Sequence, residues 1–162
     1  MEKTSNVAIP ATDDSDRINR FIWSAFSLSN HLHEIRQAWA KQLGVSGPQW
    51  LILFAIMSDD NGNGVPVGRL AEKLHVKSTF VTAQTKLLEE RGMVVRTVSP
   101  ADRRVTLLSV ATETQDIINA GATERNSVHR YIFGGLTEVQ FANLVSAMEL
   151  IEDRAGQARS SL

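Results

Sequence analysis

The segment from Gly68 to Ala111 constrains the fold of this chain more than any other. Two helical patterns come first and two β-rich runs follow, in the order 67–74, 78–91, 93–98 and 104–110. Gly92 is a helix stop before the first run, and a turn at 99–103 joins the two runs. This order is typical of a helix-turn-helix followed by a β-hairpin wing, a unit that grips duplex DNA.

Length and composition predict an ordinary globular protein. The chain has 162 residues, enough for one compact domain or one protomer of an assembly, with 43% apolar and 22% charged residues. It has no run of eighteen apolar residues and no apolar segment behind a basic N-terminus, so we expect a cytoplasmic protein without membrane contact. The absence of cysteine excludes disulfides and thiolate metal sites.

Charge is unevenly distributed along the chain. Between Val65 and Val105 there are eight Lys/Arg and four Asp/Glu, a net charge of +4, while the other residues carry −5. A basic middle between acidic flanks would direct one surface towards phosphates. A randomly uneven surface is the alternative.

Helical patterns flank the central segment. Residues 1–15 show no period and are expected to form a flexible tail, after which Asp14 or Ser15 would cap a long helix that ends near Gln42. The apolar stripe of this first helix is wide: it comprises Ile18, Phe21, Ile22, Ala25, Leu28, Leu32, Ile35 and Trp39. A helix this long with so wide a stripe is expected to pack on more than its own small domain.

Two capping signals define later helices. Ser46 and Gln49 have the spacing of a capping box that opens a second, apolar helix, although Gly47 as the cap with Pro48 at the first helical position is the alternative. This helix would stop at the turn-forming cluster 59–64. The helical period returns from Thr112 to about Phe133, and Thr137 opens a last helix. The expected fold class is mainly α with a small β-hairpin wing (α+β).

Small polar side chains cover the expected outer face of the helix 78–91. Hydroxyl groups near a helix N-terminus let the backbone approach a groove and can bond phosphates or base edges. An ordinary solvent-exposed helix is the alternative for this face. The expected DNA contacts of the helix and of the turn before it are Lys77, Ser78, Thr79, Thr82, Ala83 and Lys86.

The tip of the expected wing carries Asp102, Arg103 and Arg104. A planar, weakly hydrated guanidinium suits a narrow minor groove, so both arginines are predicted DNA contacts. Asp102 would repel phosphate unless it is paired, and we expect it to hold Arg104 through a bidentate ion pair. A surface ion pair of little energetic value is the alternative.

These motifs resemble those of the MarR family of bacterial winged-helix regulators. The similarity rests on the Pro-Gln-Trp start of the second helix, the run Leu-Ala-Glu-Lys-Leu, the segment 88–92 and the wing triplet 102–104. It implies a homodimeric repressor of a pseudo-palindromic operator, with a lobe at 46–111 and dimerisation helices at 16–45 and 112–162. By position, the recognition helix is 78–91 and Arg104 enters the minor groove. Four positions depart from the family pattern: Gln84 and Thr85 stand where apolar residues are usual, Ala83 where a basic residue is common, and Gln115 where a glycine is usual.

The resemblance also implies a small effector bound beside the first helix. A mixed aromatic, hydroxyl and basic lining would suit an aromatic carboxylate or its acyl-CoA thioester. The alternative is that the polar residues face solvent and the aromatic residues fill a dimer core. The candidate effector residues are Trp23, Phe26, Ser27, His31, Arg36 and Trp50.

Catalytic chemistry has no support in the sequence. No motif pairs a nucleophile with a base, no glycine-rich loop would cradle phosphate, and no metal-ligand cluster occurs, so we expect no catalytic residue, no metal and no cofactor. The main rival function is a winged-helix module for protein–protein interaction without ligand sensing. A small helical enzyme is the other.

Overall fold

The computed structural model describes residues 12–161, with side chains from residue 15 onwards. Seven helices and three short strands follow one another in these residues. Their bounds are α1 Thr12–Gln42, α2 Gly47–Asp59, β1 Val65–Pro66, α3 Val67–Lys73, α4 Ser78–Glu90, β2 Val94–Val98, β3 Thr106–Val110, α5 Thr112–Ala120, α6 Ala122–Phe133 and α7 Glu138–Ser160. Within this range, no helix is both long and apolar enough to cross a membrane.

The strands form one antiparallel sheet in the order β1-β3-β2. The hairpin pairs Val94 with Val110 at its base and Val98 with Thr106 near its tip. This confirms the predicted winged helix-turn-helix, mainly α with a small β-hairpin. Strand β1 was not predicted, because a two-residue strand that contains Pro66 has no alternating pattern to detect.

The core of the first compact unit, Met1–Gln115, lies under α2. Helices α2, α3 and α4 and the sheet each place apolar side chains into it, as amphipathic elements must when they share one core. Its fully buried aliphatic side chains are Ile52, Leu53, Ile56, Val65, Leu70, Val81, Leu88 and Leu108. This packing holds α4 and the hairpin in one body.

The second compact unit, Asp116–Leu162, contains α6 and α7. The single helix predicted from Thr112 to Phe133 is wrong, because the chain breaks at Gly121 between α5 and α6. The guanidinium of Arg125 is buried and donates to the carbonyl of Ile118 at 2.6 Å, so it satisfies an acceptor that the break leaves free. Burial lowers the pKa of Arg125.

Two predicted helix starts are confirmed and one is not. Capping boxes open α2 at Ser46 and α7 at Thr137, each with both reciprocal hydrogen bonds. Helix α1 begins at Thr12, so Asp14 and Ser15 lie inside it and do not cap it. The other residues of the predicted tail, 1–11, lie outside the described range.

Replacing the cap residue Ser46 by alanine should lower the free energy of unfolding by about 1 kcal/mol, because the side chain accepts from the backbone N–H of Gln49. Ser46→Gly is the matched variant and should cost only a few tenths of that, about 0.3 kcal/mol. Urea denaturation measures both. No measurable loss in Ser46→Ala would show that the cap does not contribute to stability.

Candidate nucleic-acid interface

The exposed face of α4 carries the predicted DNA contacts. Val81, Thr85 and Leu88 face the core, and the opposite side of the helix is open to solvent. All six residues predicted to contact DNA at or before this helix are exposed on it or at its N-terminal end: Lys77, Ser78, Thr79, Thr82, Ala83 and Lys86. The structure therefore brings them together on one surface.

The tip of the hairpin is ordered by short-range hydrogen bonds. The N–H of Ser99 donates to the carbonyl of Val105 at 2.9 Å, and the N–H of Val105 donates to the carbonyl of Asp102 at 2.9 Å. The side chains of Arg103 and Arg104 are exposed there. Two cations are thus presented at the end of a fixed turn.

The predicted bidentate pair between Asp102 and Arg104 is wrong. The carboxylate Oδ1 of Asp102 accepts from the backbone N–H of Arg104 at 2.9 Å. This is the Asx turn that aspartate forms with the chain two residues ahead, and it competes for the oxygen that an ion pair would use. Asp102 therefore shapes the turn, and the guanidinium of Arg104 extends into solvent.

A buried hydroxyl on α4 was missed as a functional feature. Thr85 occupies an inward position where the sequence resemblance predicts an apolar residue, and it is 0% exposed. Its hydroxyl donates to the carbonyl of Val81 at 2.8 Å and accepts from Nη1 of Arg96 at 3.0 Å. Nε of Arg96 lies 3.5 Å from a carboxylate oxygen of Glu89. The sequence signal for the Thr85–Arg96 hydrogen bond was a polar residue at a core position of an amphipathic helix, because such a buried group needs a partner.

A second ionic cluster joins α2 to α3. The side chain of Asp59 is 11% exposed and pairs with Nε of Arg69 at 3.1 Å and with Nζ of Lys73. The hydrogen bond from Lys73 is the main cause that lowers the pKa of Asp59, and burial opposes it. The cluster fixes the start of the helix-turn-helix on the core helix.

Replacing Asp59 by asparagine should destabilise the fold at neutral pH and progressively less as the pH falls below 3.8. The folded-state pKa of this carboxyl lies below its ordinary value of 3.8. Its contribution is therefore complete above that value and is lost as the pH falls through the lower, folded-state pKa. Urea denaturation between pH 7 and pH 3 should show the Asp59→Asn deficit shrinking, whereas Glu72→Gln, an exposed acid on α3, should show none. A deficit as large at pH 3 as at pH 7 contradicts the linkage.

The candidate effector residues do not form one cluster. Trp23 and Phe26 are 69% and 59% exposed and meet edge to face, with ring centroids 6.1 Å apart. Trp50 is buried against Trp39 and Phe54. Arg36 is half-buried, thirteen residues after Trp23 on α1, which is about 20 Å along a helix.

A cavity of about 460 Å³ lies between α2 and α3. It is lined by Leu51, Phe54, Ala55, Ser58, Lys73 and Leu74, and none of these was a predicted effector residue.

The other two candidate effector residues, Ser27 and His31, are exposed on α1, one and two turns beyond Trp23. The described geometry thus separates an exposed aromatic pair from a buried tryptophan.

Comparison with known proteins agrees with this geometry. The MarR family sequence model matches residues 43–105, which span α2, the helix-turn-helix and most of the wing. The matched segment is therefore similar to MarR-family sequences. The chain also resembles the uncharacterized HTH-type transcriptional regulator YhbI of Bacillus subtilis, with 30% identity over 76 residues. That alignment covers 47% of each chain, so the chain spans about half the length of the curated relative it matches.

Solved structures share the fold over most of the chain. MepR of S. aureus in its DNA-binding conformation has a TM-score of 0.75 at 13% identity, over 83% of this chain and 98% of MepR. CouR from Rhodococcus jostii RHA1, bound to p-coumaroyl-CoA, has a TM-score of 0.71 at 21% identity, over 85% and 92% of the two chains. At these identities the similarity establishes the winged-helix fold.

Proposed function

We propose that this protein is a DNA-binding transcriptional regulator that represses from a pseudo-palindromic operator. One observation carries the proposal: the hydroxyl-rich face of α4 and the arginine-tipped wing are both exposed on one compact unit, within a segment of net charge +4. Helix α4 would enter a major groove, and Arg104 would reach the adjacent minor groove. Another structure of MepR is a complex with DNA, which supports this use of the fold.

A second copy of the chain is the partner that this function needs. None of the 23 residues of α7 is buried in one chain, and an unsupported helix is marginal in water. Large apolar side chains are exposed on both α1 and α7, beyond what a monomer usually shows. They include Ile18, Phe21, Ile22 and Leu28 on α1, and Phe141, Leu144, Val145, Met148 and Ile151 on α7.

The effector is proposed to be an aromatic carboxylate or its acyl-CoA thioester. The exposed aromatic pair of Trp23 and Phe26 offers stacking surface, and Arg36 offers a cation further along α1. An elongated ligand fits residues spread along a helix better than a compact one does. The CouR structure, which contains p-coumaroyl-CoA, supports an acyl-CoA in this fold.

Regulation by such a ligand requires binding and no chemistry. An effector that prefers one spacing of the two recognition helices would shift the dimer away from the spacing that fits half-sites one helical turn apart. About 1–3 kcal/mol of coupling is sufficient to change operator occupancy severalfold or more. We propose action in the cytoplasm, on double-stranded DNA, without a cofactor.

Selection of bound sequences from a random duplex pool tests the DNA proposal without knowledge of the operator. We expect enrichment of a two-fold repeat with half-sites about one helical turn apart, and an affinity that falls steeply with salt. Fluorescence anisotropy on the selected duplex gives the affinity. No enrichment, together with weak binding that salt does not change, would favour a protein-interaction module instead.

A thermal-shift screen tests the effector class. Aromatic acids and their CoA thioesters are added at concentrations about a hundredfold above a micromolar affinity, where one site stabilises by about 2.7 kcal/mol. A ligand that raises the midpoint should also weaken binding to the selected duplex. If no compound in either class shifts the midpoint, the effector proposal is wrong while the DNA proposal stands.

A further inference from the structure

The guanidinium of Arg96 connects the recognition helix to the wing. Arg96 is the central residue of β2, and its side chain is 21% exposed. It reaches Thr85 at 3.0 Å through Nη1 and Glu89 at 3.5 Å through Nε. Thr85 and Glu89 are four residues apart and lie on the same side of α4. One side chain of the hairpin therefore holds two successive turns of the helix.

Burial makes the contact with Thr85 the stronger of the two. The Thr85 hydroxyl is fully enclosed, and its proton is already used for the carbonyl of Val81. Its lone pairs need a donor, since an unsatisfied buried acceptor costs more than a typical hydrogen bond returns. Glu89 is about half exposed, so its ion pair with Arg96 is screened by water.

The chemistry of both partners requires arginine at this position. A guanidinium presents several N–H donors in a fixed plane, so it can serve a hydroxyl and a carboxylate at once. A lysine ammonium is a point charge on a flexible stem and would not be held in the same plane. The arrangement therefore fixes the angle between β2 and α4 rather than only their contact.

We infer that Arg96 is a positioning residue that sets the recognition helix and the wing in the relative orientation needed for two adjacent grooves. This inference rests on the proposed DNA-binding function. The backbone pairing of β2 with β3 extends from Arg96 to Val98 and Thr106, just below the tip. A change in the angle between β2 and α4 at Arg96 would therefore displace the whole hairpin, including Arg104. Arg104 lies in the turn beyond the last β2–β3 pair, Val98 with Thr106. Arg96 itself need not touch DNA.

A double-mutant cycle on DNA affinity tests the inference. In the wild-type background, Arg104→Ala should weaken binding to the selected duplex by about tenfold or more. In an Arg96→Met background the same change should cost about threefold or less, because the wing is no longer held where Arg104 can contribute. Thr85→Val and Arg96→Lys each remove part of the connection and should give intermediate values.

Arg91→Met is the matched control. Arg91 is also a cation of this lobe, and its Nη1 donates to the carbonyl of Gly44 at 2.9 Å, away from the wing. Its loss removes the same charge and one hydrogen bond, yet it should leave the effect of Arg104→Ala unchanged. Circular dichroism and thermal melts show which variants are folded, and only those are compared. If Arg96→Met does not fold, Thr85→Val takes its place as the background for the cycle.

The outcomes separate the two proposals. If wild type binds and Arg104→Ala weakens it equally in all backgrounds, the positioning role of Arg96 is overturned while DNA binding stands. If wild type does not bind DNA, the proposed function itself fails. If wild type binds and Arg104→Ala changes nothing in any background, the wing makes no contact with DNA, and the positioning role of Arg96 is overturned while DNA binding stands. Coupling with Arg96→Met and Thr85→Val, and none with Arg91→Met, supports the inference.

Discussion

Alanine at position 104 is expected to weaken binding to the selected operator by about ten- to a hundredfold, the range for losing charge-assisted hydrogen bonds. Arg104 is exposed at the wing tip, where Asp102 bonds the backbone and not the guanidinium. The arginine is therefore free of an internal ion pair that it would have to break before entering a groove. The loss should be largest for operators with a narrow, A·T-rich minor groove at the wing position.

Lys86→Ala separates a groove contact from a phosphate contact. Lys86 is exposed on α4 and should contribute a phosphate contact, so its loss should weaken all duplexes nearly uniformly and reduce the salt slope by about one. Arg104→Ala should reduce the slope similarly and, in addition, lower discrimination between A·T-rich and G·C-rich flanks. Anisotropy titrations at several salt concentrations on two duplexes measure both effects.

Arg91→Ala serves as the charge control for these titrations. It removes a cation of the same lobe that lies at the C-terminal end of α4 and donates to the carbonyl of Gly44. We expect a change of about twofold or less in affinity, since a charge distant from the phosphates is screened. If Arg104→Ala and Arg91→Ala weaken binding equally, the wing has no specific role in the groove.

The elements predicted well from sequence are those with local signals. Ser46 and Thr137 each stand three residues before a glutamine, and a capping box depends only on that spacing. The hairpin follows from β-branched runs on both sides of one turn. Gly92 has a φ of +71°, the left-handed conformation that ends a helix, as its position after α4 predicts.

Features that depend on distant or competing partners could not be predicted. The helix break at Gly121 is stabilised by Arg125, whose bond to Ile118 closes a gap that a helical period does not show. At the wing, two donors were available to the Asp102 carboxylate, the backbone N–H and the guanidinium of Arg104. The backbone N–H is fixed two residues ahead, whereas the guanidinium is at the end of a flexible side chain. The role of Thr85 requires knowing that Arg96 of another element faces it.

Glutamate at position 144 is expected to abolish the dimer at micromolar concentrations. Leu144 lies on the exposed apolar surface of α7, where the proposed second copy would cover it. Burial of an unpaired carboxylate costs several kcal/mol, and in a two-fold interface the substitution occurs twice. We therefore expect the dimer dissociation constant of Leu144→Glu to rise by about a hundredfold or more. Sedimentation equilibrium measures this directly.

Operator binding should be lost together with the dimer. A monomer can occupy only one half-site, so the affinity gained by linking two recognition helices disappears. Asn143→Glu is the matched control: it places the same charge on the adjacent residue of α7, which is polar in the native sequence, and should leave both dimer and affinity nearly unchanged. Two results would contradict the dimer proposal: a wild type that is monomeric at micromolar concentration, or a Leu144→Glu variant that remains dimeric with native operator affinity.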